Sequence, residues 1–108
     1  MHDITIRIDC DRLEYIGYTE HTPGALLVAP SRLLNRRVED VVGGELATTV
    51  DVAAWTARKH RVAQEFTYTL LGTSRRAHVV VRDSCAYLNI THLGTAAEVA
   101  SDLNGTEP

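Results

Sequence analysis

The side chains that could do chemistry in this chain are few and widely spaced. The two cysteines, Cys10 and Cys85, belong to no Cys-x-x-Cys pair of the kind that redox centres and zinc sites use. We therefore expect two inert thiols. Asp9 and Asp11 flank a short polar segment, where aspartate typically hydrogen-bonds the backbone of a turn, so the pattern favours turn formation over acid–base catalysis.

The five histidines form neither a His-x-His pair nor a His-Glu-x-x-His metal motif. His60 follows two basic residues at the predicted end of a helix, where the helix dipole stabilises an imidazolium without any ligand. The sequence also holds no Gly-x-Ser-x-Gly motif and no Gly-rich phosphate loop. The pairs Arg36-Arg37 and Arg75-Arg76 are interpreted as solvated charges. We expect no catalytic residues and no metal site.

Composition narrows the class of protein. A length of 108 residues, with 44% hydrophobic and 23% charged residues, predicts a single folded domain. A net charge of −3 argues against a nucleic-acid-binding surface, which would need clustered basic residues. The sequence has neither the apolar run needed to span a bilayer nor the features of a signal peptide, so we expect a cytoplasmic protein with no membrane partner.

Strand and helix patterns follow one another in a clear order. Ile4, Ile6 and Ile8 alternate with polar residues, and residues 13–18 resume an extended pattern, which predicts a β-hairpin. Residues 25–42 read as short helical turns, with Ser31 as a candidate helix cap after Pro30. Residues 45–60 carry one apolar helical face, consisting of Leu46, Val50, Ala53, Ala54 and Ala57.

Three further strands are predicted over residues 66–70, 75–82 and 85–91, and the tight turns between them indicate an antiparallel meander. The tail from Thr95 has a weak helical pattern that ends at Asn104-Gly105. This order predicts an α+β domain, a five-stranded antiparallel sheet with helices covering one face.

Several local patterns together resemble the PAS domain, a small sensory module of signalling proteins. Residues 6–15 resemble the opening hairpin of that family, residues 34–42 its central helical segment, and residues 66–70 the strand after its long helix. Asn89-Ile90-Thr91 stands where the family usually ends in aspartate-isoleucine-threonine. The resemblance implies the strand order 2-1-5-4-3, a single domain over residues 1–94, and a tail over residues 95–108 that could begin a linker helix.

Two residues depart from the family pattern. Asn35 replaces the usual glycine, and asparagine tolerates a left-handed backbone well enough to keep the turn. Asn89 replaces the usual aspartate and carries no charge, which puts in doubt any salt bridge that passes a signal onward. The implied strand order also brings Cys10 near Cys85, within about 10 Å between Cα atoms but without a disulfide.

The resemblance implies a non-enzymatic sensory or protein-interaction module that passes ligand or partner state through its last strand. Asn89 and Thr91 are the candidate residues for signal exit. The candidate pocket residues are the large aromatics Trp55, Phe66, Tyr68 and Tyr87. Trp55 lies off the apolar face of its helix, which also favours a place at an edge or interface.

The expected partners are a second copy of the chain and a signalling partner or fused effector domain. Outward side chains of the last strands, Val80 and Leu88 among them, are expected to form the homodimer contact. No cofactor is expected, but the resemblance leaves open haem, with His60 as ligand, and non-covalent flavin. The alternative is a small α+β enzyme of isomerase or hydratase type, which would need an Asp-His pair inside a pocket.

Overall fold

A computed structural model describes residues 2–26 and 28–95 of the chain. The elements are β1 (Ile4–Asp9), β2 (Glu14–Glu20), a 3-10 turn (Pro30–Arg32), α1 (Val38–Val42), α2 (Gly44–His60), β3 (Gln64–Leu70), β4 (Thr73–Arg82) and β5 (Cys85–Thr95). The predicted order of strands and helices is confirmed. The helical tail predicted after Thr95 lies outside the described residues. Neither α1 nor α2, in the part of the chain described, has the length and apolarity to cross a membrane.

The five strands form one antiparallel sheet in the order β2-β1-β5-β4-β3. Strand β1 lies beside β5, with Ile4 opposite Ile90. The predicted topology is therefore confirmed. Asp9 is the register partner of Cys85, and both cysteines are free. Since cross-strand Cα atoms lie about 5 Å apart and successive ones about 3.8 Å, Cys10 and Cys85 fall within about 10 Å, as predicted.

Helix α2 covers one face of the sheet by packing on β3 and β4. Its buried residues are mostly small, which lets the helix approach the sheet closely; they are Ala47, Val50, Ala53, Ala54 and Ala57. Leu46 from the predicted apolar face is half-buried. Trp55 is 59% exposed on the far side of α2, with the Lys59 Nζ 4.7 Å from its ring centre.

The segment before α1 is held against the edge of β2. The amide of Asn35 donates to the Tyr15 carbonyl at 2.9 Å, and the Tyr15 amide donates to the Arg36 carbonyl at 3.0 Å. Asn35 has a φ of 63°, so the predicted left-handed turn at this asparagine is confirmed. The prediction that Ser31 caps a helix is wrong, because Pro30 itself starts the 3-10 turn and places Ser31 inside it.

Alternation along β5 assigns its side chains to the two faces of the sheet. Ala86, Leu88 and Ile90 are buried beneath the helices, and Tyr87 and Asn89 lie on the opposite, outer face. The expectation that Leu88 points outward is wrong, because Leu88 is the register partner of Ile6 on the inner face and is only 5% exposed. Val80 alternates with the buried Val79 and so lies on the outer face, as expected.

Candidate functional site

A cavity lies between the inner face of the sheet and the layer that covers it. Its volume is about 50 Å³. Strands β1 and β5 contribute Ile6 and Leu88 to its walls, and α2 contributes Leu46 and Val50. Residues 25, 26 and 28, in the connection that follows β2, line it as well. The cavity therefore touches every layer of the fold.

Among the described residues of the cavity wall, the polar side chains are those of Tyr15, Tyr68 and Arg75. The other wall residues are aliphatic, apart from Phe66. Within residues 2–26 and 28–95, no aspartate, glutamate or histidine lines this space. Likewise, no group of three His, Cys, Asp or Glu side chains in that part of the chain could hold a metal ion. The chemistry that the cavity offers is thus one cation and two phenols in an apolar surrounding.

Arg75 is 6% exposed and is the residue of this site that the sequence interpretation missed. It is the register partner of Tyr68, and its Nη1 donates to the Ala25 carbonyl at 3.2 Å. Its Nε is buried and has no hydrogen-bond partner in the part of the chain that the structure describes. The interpretation of Arg75 as a solvated charge is therefore wrong. The interpretation holds for Arg76, which is exposed and pairs with Glu65 at 3.3 Å.

The physical reason is the alternation of β4. Ala77 and Val79 are fully buried on the inner face, and stepping back two residues from Ala77 places Arg75 on that same face. The period-2 pattern that identified the strand could therefore have identified the buried arginine.

The two phenols of the cavity stay neutral at physiological pH. Burial raises the pKa of Tyr68 to about 12, although the neighbouring Arg75 guanidinium acts in the opposite direction. Burial also raises the pKa of Tyr15 above its ordinary value, with a smaller contribution from the adjacent Tyr68. The Arg75 guanidinium is therefore the one charged side chain among the described residues that line the cavity.

The aromatic residues predicted to form a pocket divide into two groups. Phe66 and Tyr68 both line the cavity, with their ring centres 5.8 Å apart. Trp55 lies outside it on the exposed side of α2, and Tyr87 lies outside it on the outer face of β5. His60, the candidate haem ligand, is exposed in the last turn of α2 and does not line the cavity.

The two residues proposed for signal exit lie on the outer face of β5. The Asn89 Oδ1 accepts a hydrogen bond from the Thr5 Oγ1 at 2.8 Å, and the Asn89 amide donates to the His78 carbonyl at 3.5 Å. The Thr91 Oγ1 lies 3.2 Å from the His2 Nδ1. Through these contacts β5 is connected to the strands on both sides of it and to the N-terminal segment.

Asp3 provides a second link at the same end of β5. Its Oδ2 accepts from the backbone amide of His92 at 2.6 Å, and its Oδ1 accepts from the Thr22 Oγ1 at 2.8 Å. The His92 amide, followed by the Thr22 hydroxyl, lowers the pKa of Asp3. The carboxylate thus joins β5 to the turn that follows β2. Nothing in the local sequence pattern indicated this role.

Cys10 lies in an environment that disfavours a reactive thiolate. Burial is the main effect on the Cys10 thiol and raises its pKa, which lowers the fraction of reactive thiolate. The expectation of two inert thiols stays a prediction.

Comparison with known proteins supports the fold. The chain matches no family model and no curated protein. Among solved structures, it is similar to a domain of an HTR-like protein from Haloarcula marismortui, with a TM-score of 0.68. The match covers 83% of this chain and 96% of that chain at 15% sequence identity. The chain therefore shares the α+β architecture of that domain, a five-stranded antiparallel sheet covered on one face by helices, which is consistent with a PAS-like fold.

Proposed function

We propose that this chain is a non-enzymatic sensory module of PAS type, which binds a small ligand in the cavity and passes its state through β5. The observation that carries this proposal is the cavity itself, because its walls come from the sheet, from α2 and from the connection after β2. A ligand there contacts both layers of the fold at once. Its binding can therefore favour one packing of the helices on the sheet over another.

Strand β5 offers a direct route from the cavity to the outer face. Leu88 and Ile90 line the cavity, and Asn89 and Thr91 alternate with them on the opposite side of the same strand. A shift of β5 at the cavity wall therefore moves the hydrogen bond between Asn89 and Thr5. Because interfaces and packed cores switch between discrete arrangements, a small shift of β5 can be amplified into a different arrangement of the outer face, which a partner can recognise.

The alternatives receive less support from the site. A pocket enzyme of isomerase or hydratase type needs an Asp-His pair, and the described cavity wall provides neither residue. A haem or flavin needs far more room than about 50 Å³, since pockets for drug-sized ligands measure roughly 300–1,000 Å³. We also propose that the module is cytoplasmic and works without cofactor, membrane or nucleic acid.

We also propose that the module forms a homodimer through the outer face of the sheet, and that it acts on a signalling partner or a fused effector domain. The described helices pack on the inner face, and Val80 lies directly across from Tyr87 on the outer one. An apolar and an aromatic side chain at a cross-strand position provide a self-complementary contact for a two-fold interface.

The proposal is tested with a ¹⁵N-labelled chain and a library of small neutral and charged molecules, followed by amide NMR. At least one compound is expected to shift the amides of cavity residues and of Asn89 and Thr91 in a saturable way. Val50→Met, which fills part of the cavity, should weaken this response. Val52→Met, on the 58% exposed position of the same helix, is the matched control and should leave it unchanged. Absence of any saturable shift at the cavity would overturn the proposal.

A further inference from the structure

We infer that the ligand is a short-chain aliphatic monocarboxylate whose carboxylate is held by Arg75. This inference rests on the proposed function, because it names the class of molecule that the same cavity takes. Three features of the site lead to it: a buried cation with no salt bridge among the described residues, the unsatisfied Nε of that cation, and the size and polarity of the remaining space.

The first feature is a buried positive charge that no carboxylate contacts directly in the described part of the chain. Within those residues Arg75 forms no salt bridge, Asp3 interacts with it only electrostatically, and no acidic side chain lines the cavity. A guanidinium keeps its positive charge throughout the pH range in which proteins fold. Buried charges in proteins are normally paired with an opposite charge, because leaving water is unfavourable for an isolated ion. An anion in the cavity supplies a negative charge in direct contact with the guanidinium.

The second feature is the geometry of the free hydrogen-bonding group. The Nη1 of Arg75 already donates to the Ala25 carbonyl, whereas the buried Nε has no acceptor among residues 2–26 and 28–95. The Nε and the second Nη of an arginine form a planar fork that matches the two oxygens of a carboxylate. A carboxylate satisfies the orphaned Nε in a way that a neutral apolar ligand cannot. The Tyr68 hydroxyl oxygen accepts a hydrogen bond from the guanidinium, and its proton can be donated to the same anion.

The third feature is the space beyond the guanidinium. A volume of about 50 Å³ corresponds to roughly four water molecules, at 10–15 Å³ for each. Bonded atoms pack more closely than waters, so this space suits an acid of about three to five carbons. Leu26, Val50, Phe66 and Leu88 border it and provide contacts for an alkyl chain rather than for a second polar group. A dicarboxylate would leave its second charge unpaired against this apolar wall.

The test compares butyrate with butyramide, its neutral counterpart of nearly the same shape, by amide NMR titration of the wild-type chain. Butyrate is expected to saturate the cavity amides at a concentration about 10- to 100-fold lower than butyramide, since a charged hydrogen bond is the difference between them. Arg75→Met should weaken butyrate binding by a similar factor. Arg76→Met removes the neighbouring exposed arginine and should leave binding unchanged.

Each other outcome has a definite meaning. Equal binding of butyramide and butyrate overturns the monocarboxylate assignment but leaves the proposed ligand-binding function intact. Competition by sulfate as strong as that by butyrate shows a general anion site and also overturns the assignment. If the Met variant does not fold, Arg75→Lys serves instead, because it keeps the charge without the fork and should bind butyrate more weakly than the wild type. No cavity response to any probe, charged or neutral, overturns the proposed function itself.

Discussion

Replacing Arg75 by methionine should stabilise the folded chain. The wild-type guanidinium is 6% exposed, donates to the Ala25 carbonyl at 3.2 Å and is also hydrogen-bonded by Tyr68. Its transfer from water costs several kcal/mol in principle, and among the described residues no carboxylate forms a salt bridge with it to offset that cost, Asp3 acting on it only electrostatically. Loss of these hydrogen bonds costs about 1 kcal/mol each, and methionine keeps most of the apolar contact of the arginine stem. We therefore expect Arg75→Met to raise the free energy of unfolding by about 1–3 kcal/mol.

Urea unfolding followed by far-ultraviolet circular dichroism measures this effect. The matched control is Arg76→Met, which breaks an exposed ion pair with Glu65 and should change the free energy of unfolding by less than about 0.5 kcal/mol. Butyrate should stabilise the wild type and the control in proportion to its occupancy, but not Arg75→Met. A loss of more than about 1 kcal/mol in Arg75→Met relative to the control would refute the reasoning, since it would mean that the guanidinium supports the fold.

Three further predictions concern other parts of the chain. The pKa of Asp3 is lower in the folded state than its ordinary value, so its carboxylate stabilises the fold above about pH 4. In unfolding titrations at acid pH, the difference in stability between the wild type and Asp3→Asn should therefore disappear as the pH falls through that lowered pKa. Arg61 follows α2 with a φ of 56°, a left-handed conformation that strains a residue with a side chain. Arg61→Gly should therefore raise the free energy of unfolding by about 1 kcal/mol and with it the urea midpoint. An unchanged or lower midpoint would contradict strain at this position. Val80→Asp should convert the proposed dimer to a monomer, as measured by light scattering, whereas Val52→Asp on the exposed side of α2 should leave the dimer intact. A wild-type chain that is monomeric at high concentration would contradict the proposed dimer.

The sequence predicted the fold well, because periodicity is a local property that burial enforces directly. Alternating isoleucines identified β1, and the spacing of small residues identified the buried side of α2. The strand order came from the resemblance rather than from periodicity, and the pairing of Ile4 with Ile90 confirmed it. The error at Leu88 arose because an apolar strand residue was assigned to a face without extending the alternation from its neighbours.

The candidate site was predicted less well, because residue type alone does not determine which way a side chain points. Phe66 and Tyr68 line the cavity, whereas Trp55 and Tyr87 have the same chemistry but face away from it. Arg75 was missed because a charged residue beside a turn is usually solvated, and only the β4 alternation reveals its burial.

Asp3 illustrates what local patterns cannot show. Its partners His92 and Thr22 are distant in sequence and meet it only in the completed sheet. A bond between residues so far apart leaves no local periodicity at either position. Predicting it requires the strand register as well as the strand order.

The most direct test of the account is an amide NMR titration of the wild-type chain with butyrate, in which Leu26 and Asn89 are followed together. Leu26 borders the cavity, and Asn89 lies on the outer face of β5. If the cavity binds the carboxylate and β5 transmits its occupancy, both amides should shift in a saturable way with the same midpoint. A shift at Leu26 alone would contradict transmission through β5, and a linear drift at both without saturation would contradict binding in the cavity.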